Sequence, residues 1–264
     1  MTDVFDFREG SSALLVSIPH DGRELTPGQA ERMTDAGRAL PDTDWHVRDL
    51  YAFAEELEAS VIMANYSRYV VDLNRPPSDE SLYEDQLATG LCPTRAFAGQ
   101  DIYLEDESVS PEERESRIRS YWRPYHDKIS GTLKQIRDEF GYALLWDAHS
   151  IPSEVPLLFD GVLPDLNIGT NNGQSCAVEI TAAVSAAAEA SPYSSVTNGR
   201  FPGGYITRNH GAPRDGVHAV QLELAQQNYM DEKTLGYDAG RALGLAGTIK
   251  SMLQAYETAA MRGT

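Results

Sequence analysis

The sequence has little cysteine, since Cys92 and Cys176 are the only two among 264 residues. Two cysteines are too few for a disulfide scaffold, and they cannot build a structural zinc site of the cysteine-rich kind. The first ten residues are acidic and lack the basic flank and the apolar run of a signal peptide. We therefore expect a reduced, cytoplasmic protein.

Basic residues are also scarce. The chain has 22 lysines and arginines against 40 aspartates and glutamates, which gives a formal net charge of −18. An acidic surface repels phosphate backbones and anionic lipids, so we expect no nucleic-acid partner and no membrane partner. No apolar run in the sequence is long enough to span a bilayer. An anionic substrate would need a local cluster of arginines to bind to this acidic protein. The sequence does not indicate an oligomeric state.

Strand patterns alternate with helix patterns along the chain. Apolar or alternating runs predict strands at residues 12–20, 142–150, 163–170 and 218–226, and one or two strands over residues 61–73. Apolar residues at helical spacing predict helices at residues 26–40, 43–59, 110–140, 176–190 and 232–261. No linker or repeat divides the chain, so we expect a single domain over residues 1–264. The alternation predicts an α/β layered architecture with a substantially parallel sheet.

Two of the predicted helices begin with capping signals. Thr26 and Ser110 are each followed by a proline, which is the pattern of a helix start. Pro124 is expected to kink the long helix that Ser110 opens. Residues 83–108 are mixed and rich in turn formers, so they predict no defined element.

Several strand patterns end in chemically active residues. These residues are His20, Asn74, Arg75, Asp147 and His149. In open α/β sheets, ligands bind beyond the carboxyl ends of the strands, where such side chains would meet. Two histidines and one carboxylate form the usual protein half of a catalytic zinc site. His20 and His149 are therefore the best imidazole candidates.

The sequence leaves the third ligand of such a site open. Asp44, at or just before a helix start, and Glu24, four residues after His20, are both candidates. Glu223 lies inside a strand between two leucines, where a charge needs solvent or a partner such as a metal. It could act as the general base on a metal-activated water. Asp147 could orient a ligand histidine.

The remaining histidines and one serine have simpler interpretations. His126 is expected on the face of the long helix, and His46 and His210 as ordinary surface or core residues. The role of His218 is left open. Ser175, in GQSCA, is one residue short of a nucleophile-elbow motif and lacks its sharp turn, so a helix cap is the favoured interpretation.

Seven blocks of sequence resemble one known family. They are SIPHDG, DTDWHVRDLY, YSRYVVDLNRPP, YWRPYHDKI, LLWDAHSI, GGYITRNHG and HAVQLELAQ. Together, from about residue 14 to 230, they resemble the N-formylglutamate amidohydrolases, or deformylases, of histidine degradation. The resemblance implies a three-layer fold similar to the zinc carboxypeptidases, which is phosphorylase/hydrolase-like and has a mixed, mostly parallel sheet between helices.

The resemblance also implies roles for single residues. His20 and His149 look like the two imidazole ligands of one Zn²⁺. Asp44 is preferred over Glu24 as the third ligand because it lies in a matching block, whereas the position that carboxypeptidases use is an arginine here. Glu223 looks like the glutamate that handles the water and then the leaving amine.

The implied substrate, N-formyl-L-glutamate, carries two carboxylates and would be hydrolysed to formate and L-glutamate. Asn74 and Arg75 resemble the adjacent pair with which carboxypeptidases hold a substrate carboxylate. Arg68 and Arg208 are further candidates for binding this anionic substrate, because each lies in a matching block.

Three other functions compete with this interpretation. A zinc hydrolase for another N-acyl amino acid or a peptide would share the fold and the metal ligands. A serine hydrolase that uses Ser175 would keep its activity in the presence of a chelator. A non-catalytic protein that binds acidic amino acids would keep the arginines, but it would have no need of Glu223 as a buried base.

Overall fold

A seven-stranded sheet forms the centre of the computed structural model, which describes residues 2–80 and 89–263. Its strands are β1 (Phe5–Arg8), β2 (Leu14–Ile18), β3 (Ser60–Ala64), β4 (Ala143–Ile151), β5 (Leu166–Gly169), β6 (Ser195–Thr197) and β7 (Val217–Ala225). Their order across the sheet is β1-β3-β2-β4-β7-β5-β6. The strands β3, β2, β4 and β7 run parallel, β1 and β5 run antiparallel to β3 and β7, and β6 runs parallel to β5. The predicted mixed, mostly parallel sheet is confirmed.

Helices cover both faces of this sheet. The helices of the described residues are α1 (Asp35–Arg38), α2 (Val47–Leu50), α3 (Pro111–Arg117), α4 (Arg123–Phe140), α5 (Val178–Glu189), α6 (Tyr205–His210) and α7 (Ala239–Gly263). The hydroxyl of Tyr125 in α4 lies 3.1 Å from that of Ser17 in β2. Trp146 in β4 packs on Tyr256 of α7, with the ring centroids 5.9 Å apart. Ser17 aligns with Asp147, and successive strand residues point to opposite faces, so α4 and α7 lie on opposite sides. The three-layer α/β architecture is confirmed.

The central strand β4 explains how the sheet positions polar side chains. All nine of its residues are buried, as expected for a strand with parallel neighbours and helices on both faces. It pairs with β7 along its whole length, and His149 stands directly opposite Glu223. Since β2, β4 and β7 are parallel, their carboxyl ends meet at one edge of the sheet.

The long helical segment begins as predicted. Ser110 caps α3, and its hydroxyl oxygen accepts a hydrogen bond from the Glu113 backbone N–H at 3.2 Å. A π-helical turn, Ile118–Trp122, then separates α3 from α4 just before Pro124. Proline has no backbone N–H to continue the helical ladder, and this turn lies directly before it. The kink expected at Pro124 stays a prediction.

The prediction of a helix over residues 26–40 is wrong. This segment contains only a 3₁₀ turn at Ala30–Arg32 and the single turn of α1, which is capped by Thr34 and not by Thr26. Gly28 has a φ of 77°, a left-handed conformation that a helix does not contain. Three parts of the chain form a small separate apolar cluster here, made of Met33, Leu40, Tyr69, Ala96, Ile102 and Tyr103. These tertiary contacts outweigh the local helical pattern.

Other predicted elements are shorter than expected. The helix predicted over residues 43–59 is α2 followed by the 3₁₀ turn Ala52–Glu55. The strand predicted from the pattern over 61–73 ends at Ala64. The last helix begins at Ala239, after a two-stranded hairpin formed by β8 (Met230–Asp231) and β9 (Gly236–Tyr237).

The undefined segment at residues 83–108 is only partly visible. Residues 83–88 lie outside the described residues, and residues 89–108 contain no helix or strand. Across residues 2–80 and 89–263, no helix combines the length and the apolar character needed to cross a membrane. The single domain over residues 1–264 stays a prediction.

Candidate active site

A buried cluster of three residues lies at the carboxyl edge of the sheet. One nitrogen from each of His20 and His149 and a carboxylate oxygen of Asp44 all lie within 4.8 Å of one another. His20 follows β2, and His149 lies near the end of β4, so the parallel pairing of these strands brings the two rings together. The Asp44 backbone N–H donates to the His20 carbonyl oxygen at 3.0 Å, which holds the loop before α2 against the strand end.

The cluster has buried polar atoms that need a ligand. His20 Nδ1 and Asp44 Oδ1 have no hydrogen-bond partner among the described residues. On the far side of each ring stands a carboxylate. His20 Nε2 lies 2.8 Å from Asp72 Oδ1, and His149 Nε2 lies 3.2 Å from Asp147 Oδ2. Histidines that bind a metal through one nitrogen usually donate the other N–H to such a carboxylate, so this donor set fits a divalent metal ion.

The carboxylates around His149 favour a positive charge at its ring. Burial opposes the imidazolium form, but Asp147 and Asp44 outweigh it and hold the pKa of His149 well above its ordinary value. Asp44 Oδ2 lies 3.1 Å from His149 Nδ1. A cation between His149 and Asp44 is therefore favoured, and a metal ion can take the place of the proton.

Asp72 was not singled out by the sequence analysis. It is fully buried, and its Oδ2 accepts a hydrogen bond from Arg68 Nη2 at 2.7 Å while its Oδ1 faces His20. Burial opposes its charge, but Arg68 and His20 outweigh this and hold the pKa of Asp72 well below its usual range. The available signal was a carboxylate between Val71 and Leu73, the same anomaly that drew attention to Glu223.

Arg68 lines the cleft, but its shortest contacts are with the buried carboxylates. It is 7% exposed, and besides its bond to Asp72 its Nη1 lies 3.8 Å from Asp44 Oδ1. Its guanidinium also lies over the ring of Phe97, 4.7 Å from the centroid. The structure thus places Arg68 as a counter-charge within the cluster.

Glu223 lies beside the cluster, as its register with His149 requires. Burial raises the pKa of Glu223 to about 8, with His149 opposing the shift and Asp44 adding to it. Its Oε2 lies 3.4 Å from Gln221 Nε2. A carboxyl group with this pKa can both take up and release a proton near neutral pH.

The cluster and Glu223 line one cleft. Together with its open mouth it has a volume of about 580 Å³, which suits a small molecule. Among the described residues, its charged lining consists of the carboxylates Asp44 and Glu223 and the arginines Arg68, Arg75 and Arg200. Arginines thus outnumber carboxylates there, although the whole chain carries a net charge of −18. Three arginines thus line the same cleft as the histidine cluster.

Asn74 and Arg75 both reach this cleft. The Asn74 Oδ1 accepts from the Ile206 backbone N–H at 2.8 Å, and its Nδ2 lies 3.0 Å from His149 Nε2. Arg75 Nε donates to the carbonyl oxygen of Thr89 at 3.0 Å. Thr89, like Phe97, belongs to the segment whose role the sequence left undefined, and both residues line the cleft.

Two candidates from the sequence lie elsewhere. Arg208, in α6, donates through Nε to the Gly203 carbonyl oxygen at 2.8 Å and is not among the described residues that line the cleft. Glu24 is exposed and does not belong to the metal-ligand cluster found among the described residues. Arg200 lines the cleft but was missed, because its neighbourhood, NGRFPGG, carries turn signals and no strand or helix pattern.

His126 lies on α4, as predicted, and its face of the helix is buried. It is 4% exposed, with Nε2 2.8 Å from the Leu73 carbonyl oxygen and Nδ1 3.0 Å from His210 Nε2. Burial, reinforced by His210, lowers the pKa of His126 to about 3, and burial lowers that of His210 to about 4.

The two remaining histidines make ordinary hydrogen bonds with the backbone. His46 Nε2 lies 2.9 Å from the Leu235 carbonyl oxygen, and His218 Nδ1 accepts a hydrogen bond from the Ala177 backbone N–H.

Ser175 is neither a helix cap nor an exposed nucleophile. The N-cap residue of α5 is Ala177, and the Ser175 hydroxyl donates to the Ala219 carbonyl oxygen at 2.8 Å. Ser175 is 1% exposed. The hydroxyl that a serine hydrolase would use as its nucleophile is buried and donates its hydrogen bond to a strand carbonyl.

Known proteins resemble this chain over most of its length. A sequence profile of the N-formylglutamate amidohydrolase family matches residues 12–230. The N-formylglutamate deformylase of Pseudomonas aeruginosa is 52% identical over 258 residues, which cover 96% of this chain and 96% of that protein. The chain belongs to the N-formylglutamate amidohydrolase family. A deformylase of Pseudomonas putida is 47% identical over 257 residues, which cover 97% of this chain and 96% of that protein.

Solved structures share the fold of this family member. The crystal structure of an N-formylglutamate amidohydrolase from Ralstonia eutropha JMP134 matches with a TM-score of 0.82 at 22% identity and covers 100% of both chains. A gene product of Agrobacterium tumefaciens matches with a TM-score of 0.72 at 20% identity, covering 97% of this chain and 96% of that one. At these identities the likeness concerns the fold alone.

Proposed function

We propose that this protein hydrolyses N-formyl-L-glutamate to formate and L-glutamate and requires one divalent metal ion, zinc. The observation that carries the proposal is the cluster of His20, Asp44 and His149, each with a ligand atom turned inward. The deformylase relatives support the substrate class. In histidine degradation, which the family resemblance implies, this reaction would yield free glutamate.

His20, Asp44 and His149 would hold the metal. A bound zinc ion lowers the pKa of a water and polarises a carbonyl oxygen. Asp72 and Asp147 keep the two rings in the orientation and tautomer that leave one nitrogen of each for the metal. This gives Asp147 the orienting role expected for it and gives Asp72 the same role on the other histidine.

Glu223 would move the proton. It removes a proton from the attacking water as the water oxygen forms a bond to the formyl carbon. When the bond between that carbon and the amide nitrogen breaks, Glu223 returns the proton to the nitrogen. The products are formate and L-glutamate, and Glu223 ends in its starting state.

Asn74 and Arg75 would hold the α-carboxylate of the substrate. Both line the cleft, and the bond from Arg75 Nε to a backbone carbonyl limits the motion of its guanidinium. We assign Arg68 to the buried carboxylates, since its shortest bond goes to Asp72. The position of Arg208 gives no support to the substrate contact expected from the sequence.

Formate release from N-formyl-L-glutamate tests the function. Activity of the purified protein is measured as prepared, after treatment with a chelator, and after zinc is added back. We expect activity to disappear with the chelator and to return with zinc. Chelator-resistant formate release would contradict the metal requirement, whereas no formate release from folded protein under any metal would refute the substrate.

A further inference from the structure

The proposed substrate has two carboxylates, and the assignments above account for one of them. A second cation facing the cleft is therefore needed for the carboxylate of the side chain. The charge of Arg68 is already balanced by Asp72 at 2.7 Å. Arg68 is assigned to the buried carboxylates and Arg75 to the α-carboxylate, so Arg200 is the cleft arginine in the described part of the chain that has no role assigned yet.

Arg200 enters the cleft from a different part of the fold than Arg75. Arg75 lies on the segment that follows β3, and Arg200 lies on the segment that follows β6. In the sheet order these two strands stand on opposite sides of the β4–β7 pair, which carries His149 and Glu223. Arg75 and Arg200 therefore line the same cleft from two segments that are far apart in the sequence.

The guanidinium of Arg200 is held in place. Its Nε donates to the Leu158 carbonyl oxygen at 2.7 Å, and its central carbon lies 5.1 Å from the ring centroid of Phe201. Phe201 packs edge-on against Phe159, with the centroids 6.0 Å apart. A guanidinium fixed in this way loses little conformational entropy when it binds an anion, and its planar fork matches a carboxylate.

We infer that Arg200 binds the side-chain carboxylate of the substrate and thereby selects acidic N-acyl amino acids over neutral ones. This inference rests on the proposed function. A neutral amide in place of that carboxylate lacks the charge that a buried or partly buried arginine pairs with. Arg200 is therefore a specificity-determining residue, whereas Arg75 serves a group that every N-acyl amino acid has.

The test compares two substrates that differ only at the side-chain end, N-formyl-L-glutamate and N-formyl-L-glutamine. The quantity measured is the ratio of their kcat/KM values. In Arg200→Met this ratio is expected to fall about 100-fold, mainly through a higher KM for the glutamate compound. Arg200→Lys keeps the charge but loses the fork, so a fall of about tenfold is expected.

Arg75→Met is the matched control. It removes a cleft arginine of the same type and should lower kcat/KM for both substrates while leaving their ratio within about threefold. Metal content and the circular dichroism spectrum of each variant show whether the fold is retained. If Arg75→Met and not Arg200→Met collapses the ratio, the two assignments are reversed and the inference is wrong.

The outcomes also separate this inference from the function on which it rests. A wild-type protein that releases no formate from N-formyl-L-glutamate overturns both. A wild-type protein that is active, together with an Arg200→Met variant whose substrate ratio is unchanged, overturns the role of Arg200 alone. An Arg200→Met variant that loses both substrates equally shows a structural role and likewise overturns it.

Discussion

Asp72 Oδ1 lies 2.8 Å from Nε2 of His20, and the opposite ring nitrogen, Nδ1, has no partner among the described residues. Asp147 Oδ2 lies 3.2 Å from Nε2 of His149, whose other ring nitrogen, Nδ1, lies 3.1 Å from Asp44 Oδ2. Each ring is therefore oriented by a buried carboxylate on the side away from Asp44. The two carboxylates therefore support the candidate metal site although neither belongs to the cluster itself.

The first prediction concerns this orientation. Asp72→Asn and Asp147→Asn should each weaken zinc binding by about 10- to 100-fold, because the ring loses the acceptor that fixes its tautomer. Competition with a chromogenic chelator measures the zinc dissociation constant directly. Asp21→Asn is the control, since Asp21 is also buried but accepts from the Arg48 backbone N–H and not from a ligand ring. Unchanged zinc affinity in the first two variants would contradict the orienting role.

The second prediction distinguishes the two candidates for the third ligand. Asp44→Ala should remove stoichiometric zinc binding and with it formate release, because two histidines alone make an incomplete site. Glu24→Gln should bind one zinc ion per chain and keep its activity, because Glu24 is exposed and outside the cluster. Metal analysis of the dialysed proteins gives the stoichiometry. The reverse pattern would make Glu24 the ligand.

The third prediction isolates proton transfer from metal binding. Glu223→Gln keeps the shape of the side chain but cannot accept a proton, so kcat should fall by about 100- to 10,000-fold. Zinc content should be unchanged. A variant that keeps wild-type kcat would show that another group moves the proton, and a variant that loses its zinc would show that Glu223 helps to hold the metal.

The fourth prediction concerns acid stability. The pKa of His126 is about 3 and that of His210 about 4 in the fold, whereas both lie near 6.5 in the unfolded chain. Between these values the unfolded state binds protons that the folded state does not, so the free energy of unfolding falls as the pH drops from about 6.5 to about 4. Each histidine contributes up to about 1.4 kcal/mol per pH unit to this slope.

Urea denaturation at several pH values measures this contribution. His126→Gln and His210→Gln should each have a shallower dependence on pH than the wild type between about pH 6.5 and pH 4, whatever their stability at neutral pH. The slope is the decisive quantity, because either substitution also removes a buried hydrogen bond. Slopes equal to that of the wild type would show that these rings become protonated in the fold.

The fifth prediction tests the serine-hydrolase alternative. Ser175→Ala removes only a hydroxyl that donates to the Ala219 carbonyl oxygen. We expect unchanged kcat and KM for N-formyl-L-glutamate and a loss of about 1 kcal/mol in the free energy of unfolding. Loss of formate release from a folded Ser175→Ala protein would revive the alternative.

Segments with strong local patterns were predictable. The strands β2 and β5 lie within the predicted runs, and β4 and β7 agree with theirs to within one residue, because a strand covered on both faces needs a nearly continuous apolar sequence. The long segment from Ser110 to Phe140 carried a cap, a proline and an apolar stripe, and all of these signals are local. By contrast, residues 26–40 fold around contacts with Tyr69 and Tyr103, which no local pattern contains.

The sequence by itself determined the α/β class, the two histidines at strand ends and the anomaly of a glutamate inside an apolar strand. These features were predictable because short runs of residues indicate which segments form buried strands. Only the tertiary structure decided that Asp44 and not Glu24 joins the histidines, that Arg68 pairs with Asp72, and that Arg200 reaches the cleft. These relations join residues that are far apart in the chain. They depend on the conformation of irregular loops at the sheet edge, and such loops have no periodic sequence pattern from which their conformation could be predicted.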